Sequence, residues 1–406
     1  LAFKYQLSNI GELQIYILII MDTLKTPTRI ALVAGEASGD LLGAGLMREL
    51  KKHLSHIEWM GIGGPEMIRE GFNSMINMQR LSVMGISDAL LHYPKLFKIR
   101  KMLYKEWQSN PPDVFIGIDY PYFNLSLELR LKKLGIKTVH LVSPKIWAWR
   151  QKRVFYIKEA VDLILTLFPF EEALYKKFNV PVRYIGHPLA DQIDLDIDAE
   201  PIRKQFGFTA QDQIISVLPG SRASEIKYMG PLFLDVMHEL STQMPELQFI
   251  VPTANANLKA LFLQHVQNKG YNLKLKMLDG QSREAMLASD FALVKSGTAT
   301  LEAMLLKRPM VVAFKWSALN HAIIAPQVKI PFIALPNILA NQELIPEFIQ
   351  SEALAKPIAQ KVLELFHTAK TEELKQQFTS IHHCLRQKAN EKAALAIYQL
   401  LESSRS

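Results

Sequence analysis

The stretch "VAGEASGDLLGAGL", residues 33–46, reads as the turn from a buried strand into a helix. Doubly wound α/β proteins place ligands at such strand ends. A phosphate there needs bare backbone N–H groups at a helix N-terminus. This turn instead carries two acids, Glu36 and Asp40. Carboxylates repel phosphate and accept hydrogen bonds from hydroxyls. The turn is therefore expected to meet hydroxyl groups, with any phosphate held elsewhere on the chain.

Working outward, short apolar runs alternate with amphipathic stretches. "RIALVAG" (29–35), "DVFIGI" (113–118), "KTVHLV" (137–142) and "VDLILTLF" (161–168) read as strands buried on both faces. A second series follows in "QIISVLPGSR" (213–222), "LQFIVPTA" (247–254), "DFALVKSGTATLEAML" (290–305) and "RPMVVAF" (308–314). This pattern predicts an α/β chain of two doubly wound, Rossmann-like domains facing a cleft, with C-terminal helices. The expected divisions are an upstream extension at 1–20, a first domain at 21–190, a linker at 191–201, a second domain at 202–352 and a helical tail at 353–406. The extension is suggested by the first methionine, Met21, which opens a short polar lead into strand one; the rival reading of 1–20 is a small interfacial anchor.

Composition narrows the classes. With 406 residues, 49% of them hydrophobic, the chain can fill two cores. A single cysteine, Cys384, excludes an internal disulfide and a cysteine-cluster metal site. The net charge of +8 points to an anionic partner. No zinc-finger or RNP signature is present, so nucleic acid is not expected. No apolar run reaches the length of a bilayer span. Asp194, Asp196 and Asp198 alternate with Leu195 and Ile197 in the linker, which reads as solvated charge rather than a cation site.

Two turns of the second domain suit phosphate. In "LPGSR" (218–222), Gly220 permits a tight turn, Ser221 offers a hydroxyl and an amide, and Arg222 offers a planar cation. In "KSGTATLEA" (295–303), Ser296, Gly297 and Thr298 place small donors at a helix start. Glu302 lies four residues after Thr298, the wrong spacing for a capping box, and can accept from the two hydroxyls of a ribose. Together these turns predict a nucleotide site.

In the first domain, "GIDYPYFN" (117–124) puts Asp119 just past a buried strand, where a carboxylate faces the cleft in this architecture and partial burial would tune it toward general-base work. Its alternative use is as an N-cap of the following helix, a role Asn124 could also fill. The segment 84–107, "MGISDALLHYPKLFKIRKMLYKEW", mixes Met84, Ile86, Leu90, Leu91, Leu96 and Phe97 with several lysines and arginines. It reads either as a basic amphipathic contact with an anionic membrane and acyl chains, or as a core helix with a solvated basic face.

The segments "VAGEASGDLLGAGL", "VMGISDAL", "PDVFIGIDYPYFN", "SPKIWAWRQKR", "IGHPLAD", "LPGSR", "SGTATLEA" and "LPNILANQELIPE" occur in this order and together resemble the lipid-A-disaccharide synthases. The resemblance runs from about Met21 to the tail. It implies an inverting glycosyltransferase of the GT-B fold that needs no metal and no cofactor. The reaction it implies joins UDP-2,3-diacylglucosamine to 2,3-diacylglucosamine 1-phosphate, giving a β-1,6-linked disaccharide phosphate and UDP. The place it implies is the cytoplasmic face of the Gram-negative inner membrane, peripherally bound. By motif position, Asp119 and Glu36 match the family's critical acids, Arg222 its phosphate-side arginine and Asn337 a polar cleft residue on the donor side. Asn341, Glu343 and Asp40 are further cleft candidates. The family pattern often reads Asp-x-Pro-Asp-Phe where this chain has "DYPYF", so Tyr122 stands in place of a second acid. The resemblance also implies a homodimer with exchanged C-terminal segments. Two other functions share parts of this pattern: a UDP-sugar 2-epimerase, which needs no acyl groove, and a non-catalytic nucleotide-sugar binder.

Overall fold

In the computed structural model, which describes residues 27–81, 86–316, 330–366 and 370–403, the aliphatic runs form two parallel six-stranded sheets in two compact units. Of the described residues, the first unit takes in 27–81, 86–144, 152–185 and 388–403. Its strands are β1 (Thr28–Ala34), β2 (Ile57–Ile62), β3 (Val114–Ile118), β4 (Lys137–Leu141), β5 (Leu163–Thr166) and β6 (Val182–Tyr184). They are ordered β2-β1-β3-β4-β5-β6. Every residue of β3 is buried, as is all of β1 except Arg29. Burial on both faces explains why these strands read as unbroken apolar runs.

Of the described residues, the second unit takes in 145–151, 186–316, 330–366 and 370–387. Its strands are β7 (Ile214–Leu218), β8 (Gln248–Thr253), β9 (Leu275–Asp279), β10 (Phe291–Lys295), β11 (Met310–Phe314) and β12 (Glu347–Ile349). The order β12-β11-β10-β7-β8-β9 is the dinucleotide-fold order. In both sheets the chain winds one way from a central strand, then returns and winds the other way. The switch points fall between β1 and β3 and between β7 and β10. The motifs singled out in the sequence leave the carboxyl ends of these four strands.

The expected tail at 353–406 does not stand as one piece. Helices Ala355–Phe366 and Lys370–Leu385 belong to the second unit, and Ala389–Glu402 belongs to the first. That last helix lies against Ala37–Leu50, where Gly45 permits close approach: a β-carbon there would stand 2.4 Å from Asn390 Nδ2. Residues 191–201 lie within the second unit and run from the end of the short helix Pro188–Gln192 into the short helix Glu200–Gln205. Asp194 there pairs with Arg386 at 3.8 Å. Among the described residues no cluster of His, Cys, Asp and Glu could hold a metal ion, and no helix is long and apolar enough to cross a membrane.

Candidate functional site

The register of the first sheet sets Ala34 beside Ile118. Gly35 and Glu36 therefore leave β1 next to Asp119 and Tyr120 leaving β3. Asp119 and Tyr120 both adopt left-handed backbone, with φ of 49° and 48°. Two such residues in succession, neither of them glycine, need support from the surrounding structure. Asp119 N–H donates to the Leu141 carbonyl at 2.8 Å, which ties the turn to β4. Asn124 is fully buried, and its Nδ2 donates to the carbonyls of Asp119 (2.8 Å), Val33 (3.2 Å) and Ile118 (3.3 Å). One amide group thus clamps the ends of both central strands. The Tyr120 ring packs on Gly35, and its hydroxyl donates to the Leu81 carbonyl at 3.0 Å.

The helix Pro121–Lys132 has Tyr120 at its N-cap, with no side-chain capping bond. Asp119 is therefore not the cap, and its carboxyl remains partly exposed at the strand end. Glu36 is exposed at the N-cap position of Ala37–Leu50 and likewise makes no capping bond. Burial raises the Tyr120 phenol pKa, and the nearby Glu36 charge adds to the rise.

Asp40 belongs to the structure rather than to an open cleft. It is buried, and its carboxylate accepts from the backbone amides of Gly64 (2.9 Å), Glu66 (2.9 Å) and Met67 (3.0 Å). These bonds anchor the start of helix Pro65–Arg69 and leave little of the carboxylate for a ligand. Gly64 makes the contact possible, since a β-carbon there would meet Asp40 Oδ2 at 2.5 Å. The sequence reading did not single out the glycines of "GIGGP" (61–65).

At the second switch point Leu218 pairs with Val294, so "PGSR" and "KSGT" emerge side by side. Gly220 has φ of 130°, and a β-carbon on it would stand 2.5 Å from Glu225 Cβ. Ser221 and Arg222 are exposed at the head of the 21-residue helix Ala223–Gln243. Glu225, which the sequence reading passed over, turns back onto this loop. Its carboxylate accepts from Ser221 N–H at 2.9 Å and from Lys295 Nζ at 2.8 Å, and lies 3.5 Å from Arg222 Nη1. Burial opposes ionisation of Glu225; the adjacent Lys295, helped by the Ser221 amide and Arg222, outweighs it and holds the pKa below the usual value.

On the other turn, Thr298 is exposed and Gly297 is the N-cap of Thr298–Leu305. The Ser296 hydroxyl donates to the Ile333 carbonyl at 3.0 Å. Glu302 stands 3.4 Å from Arg283 Nε. Burial raises the Glu302 pKa despite the offsetting Arg283 charge. Neither Lys295 nor Arg283 carried a local signal, because each gains its meaning from a partner far along the chain.

Asn337, expected on the cleft side, is fully buried. Its Nδ2 donates to the Ile345 carbonyl and Glu347 Oε1, both at 2.8 Å, and its Oδ1 accepts from Leu344 N–H (2.8 Å) and Ile345 N–H (3.0 Å). It shapes the 341–347 loop from inside and has no donor or acceptor left for a nucleotide. Asn341 and Glu343 are exposed on that loop, with Asn341 at φ of 52° closing helix Leu335–Ala340.

Of the expected lipid-contact residues, Met84 and the side chains of Ile86, Leu90 and Leu91 lie outside the described residues. In helix Ile86–Ser109, Ile99, Leu103 and Trp107 face the core at a spacing of four. Leu96 also packs on that core. Phe97 is 45% exposed, and Tyr122, at 60%, is nearby in an aromatic and basic patch. Arg100 lies 5.9 Å from the Phe97 ring centre, and Arg153 lies 4.7 Å from that of Tyr122. Where the family pattern has an acid, this chain therefore sets an aromatic face against Arg153.

Two parallel sheets with ligand-type turns at both switch points define the GT-B class of nucleotide-sugar proteins. Solved structures agree on the fold. UDP-GlcNAc 2-epimerase from Methanocaldococcus jannaschii, in complex with UDP-GlcNAc and UDP, matches with a TM-score of 0.59 at 13% identity, over 92% of this chain and 99% of that one. The glycotransferase of kitacinnamycin matches with a TM-score of 0.59 at 14% identity, over 92% and 99%. Likeness at that identity concerns the fold alone. The lipid-A-disaccharide synthetase family model matches residues 30–399. Lipid-A-disaccharide synthase 2 of Legionella pneumophila (strain Lens) is 60% identical over 94% of this chain and 99% of its own length. Lipid-A-disaccharide synthase of Hahella chejuensis is 45% identical over 94% and 96%. The chain belongs to the lipid-A-disaccharide synthase family, and it is a glycosyltransferase. The epimerase reading rests on shared fold only.

Proposed function

We propose that this chain condenses UDP-2,3-diacylglucosamine with 2,3-diacylglucosamine 1-phosphate, with inversion, to give the β-1,6-linked disaccharide phosphate and UDP. One observation carries the reading: the two switch points have opposite chemistry. Acids stand at the first, in Glu36 and Asp119, and the cations Arg222 and Lys295, gathered on Glu225, stand at the second beside two helix starts.

In this mechanism the acceptor 6-hydroxyl gives its proton to the Asp119 carboxylate, with Glu36 accepting a hydrogen bond from the acceptor. The oxygen attacks the anomeric carbon, and the bond from that carbon to the diphosphate oxygen breaks on the opposite face. UDP leaves with the electron pair. Arg222, the Ser221 amide and the start of helix Thr298–Leu305 take up the developing negative charge. Glu302 receives the ribose hydroxyls. As the family resemblance implies, no metal is required. The aromatic and basic patch of Phe97, Arg100, Tyr122 and Arg153 suits an anionic membrane surface, and a homodimer is the expected assembly.

The test is incubation of purified protein with both acylated substrates and mass spectrometry of the products. A disaccharide phosphate that forms only when both are present supports the proposal. UDP release without the acceptor, or 2-epimerised UDP-sugar, would overturn it.

A further inference from the structure

Lys295 ends β10, and its side chain is only 15% exposed. Its ammonium lies 3.8 Å from where a β-carbon on Gly297 would be and 5.0 Å from the Phe314 ring centre. It also meets Glu225, whose carboxylate reaches the other turn through the Ser221 amide and Arg222. A single carboxylate thus gathers an ammonium, a guanidinium and a backbone N–H. Those are the donors that an anionic phosphate oxygen requires. Glu225 is an internal anion at the place where two phosphate-type turns converge.

We infer that Lys295 is a second cation for the leaving diphosphate, and that Glu225 is a placeholder anion from which the incoming diphosphate takes over Lys295, Arg222 and the Ser221 amide. This rests on the second switch point being the UDP site. The placeholder keeps two cations and an amide oriented while the site is empty, so little reordering remains when the donor arrives. It also weakens UDP binding, because the diphosphate must displace a carboxylate, and so favours release of the product. Glu225 acts through these groups and is a positioning residue.

The test is calorimetric titration of the full chain with UDP, UMP and uridine, with circular dichroism confirming folding. Lys295→Gln is expected to weaken UDP by about tenfold, UMP less and uridine not at all, while Lys295→Arg stays near wild type. Glu225→Gln keeps an acceptor for the Ser221 amide but removes the competing charge, so UDP should bind several-fold tighter. A merely structural Glu225 would give weaker binding when changed, and that result overturns the inference, as does a Lys295→Gln protein that binds UDP like wild type. Should Lys295→Gln fail to fold, the Glu225→Gln titration decides alone. Arg222→Ala separates the two levels. If it weakens UDP while Lys295→Gln does not, the site stands and this inference falls. If neither variant affects UDP, the site itself is wrong.

Discussion

The ring of Tyr120 stands 2.8 Å from the point where a β-carbon on Gly35 would lie. The turns after β1 and β3 therefore interlock, and the glycine is needed for proximity. Gly35→Ala should push Tyr120 outward and disturb the left-handed pair that aims Asp119. Such overpacking typically costs about 1–3 kcal/mol. Thermal denaturation should show that loss, and kcat should fall more than KM rises. Unchanged stability and turnover would mean that the two turns are not coupled.

Asp119→Asn keeps the shape of the side chain and removes its basicity. The backbone bonds to Leu141 and Asn124 are untouched, so folding should be preserved. Loss of a general base predicts a fall in kcat on the order of 10²–10⁴ with a small change in KM. Steady-state kinetics on the acylated substrates check this. Near wild-type turnover in a folded Asp119→Asn protein would remove Asp119 from the mechanism.

Asn337 is expected to reveal itself in stability and not in nucleotide affinity. Asn337→Ala takes the Asn337 partner from the Ile345 carbonyl and from the Leu344 and Ile345 amides, and leaves the Glu347 carboxylate only its bonds from the Ile333 and Ala334 amides. Unsatisfied buried groups cost roughly 1–3 kcal/mol each, so a drop of several kcal/mol is expected after partial relaxation. Chemical denaturation measures it, while the folded fraction should bind UDP as before. A stable variant with lost UDP affinity would return Asn337 to the nucleotide site.

His187 gives the second unit an acid-sensitive point. Burial, together with the nearby Arg283 charge, lowers its pKa from 6.5 to about 4. Between those values the unfolded chain binds the proton and the folded chain does not, so stability rises with pH. The contribution is complete above about pH 6.5 and declines as pH falls toward about 4, by up to about 3 kcal/mol. His187→Asn keeps an acceptor for the Leu189 amide, a bond His187 makes at 3.2 Å. Melting temperatures from pH 8 to 5 should therefore fall less steeply in the variant than in wild type. Parallel curves would show that His187 does not set this slope.

Eight strands were legible in the sequence, and they are the inner strands of both sheets: β1, β3, β4 and β5 in one, β7, β8, β10 and β11 in the other. The strands that went unread, β2, β6, β9 and β12, are the four edges. An inner strand covered on both faces must be apolar at almost every position, so it announces itself. The edges are less buried: β6 and β12 have three residues each and bury none of them fully, β9 buries only Leu278, and β2 only Gly61 and Ile62.

The site divides in the same way. Asp119, Glu36, Arg222 and the glycine turns stand at strand ends, as the sequence leads one to expect, and Asp119, Glu36 and Arg222 are exposed or partly exposed there. Asp40 and Asn337 carry equally suggestive side chains, yet the fold fills each with backbone partners.

The linear order of residues, by itself, determined two doubly wound domains and their central strands, because burial and tight turns constrain residue type locally. Only the tertiary structure decided which polar groups remain open and which are consumed inside. It also brought Lys295 to Glu225 across 70 positions and Arg283 to Glu302. A hydrogen bond or ion pair depends on a partner's place in space, and no local pattern encodes that place.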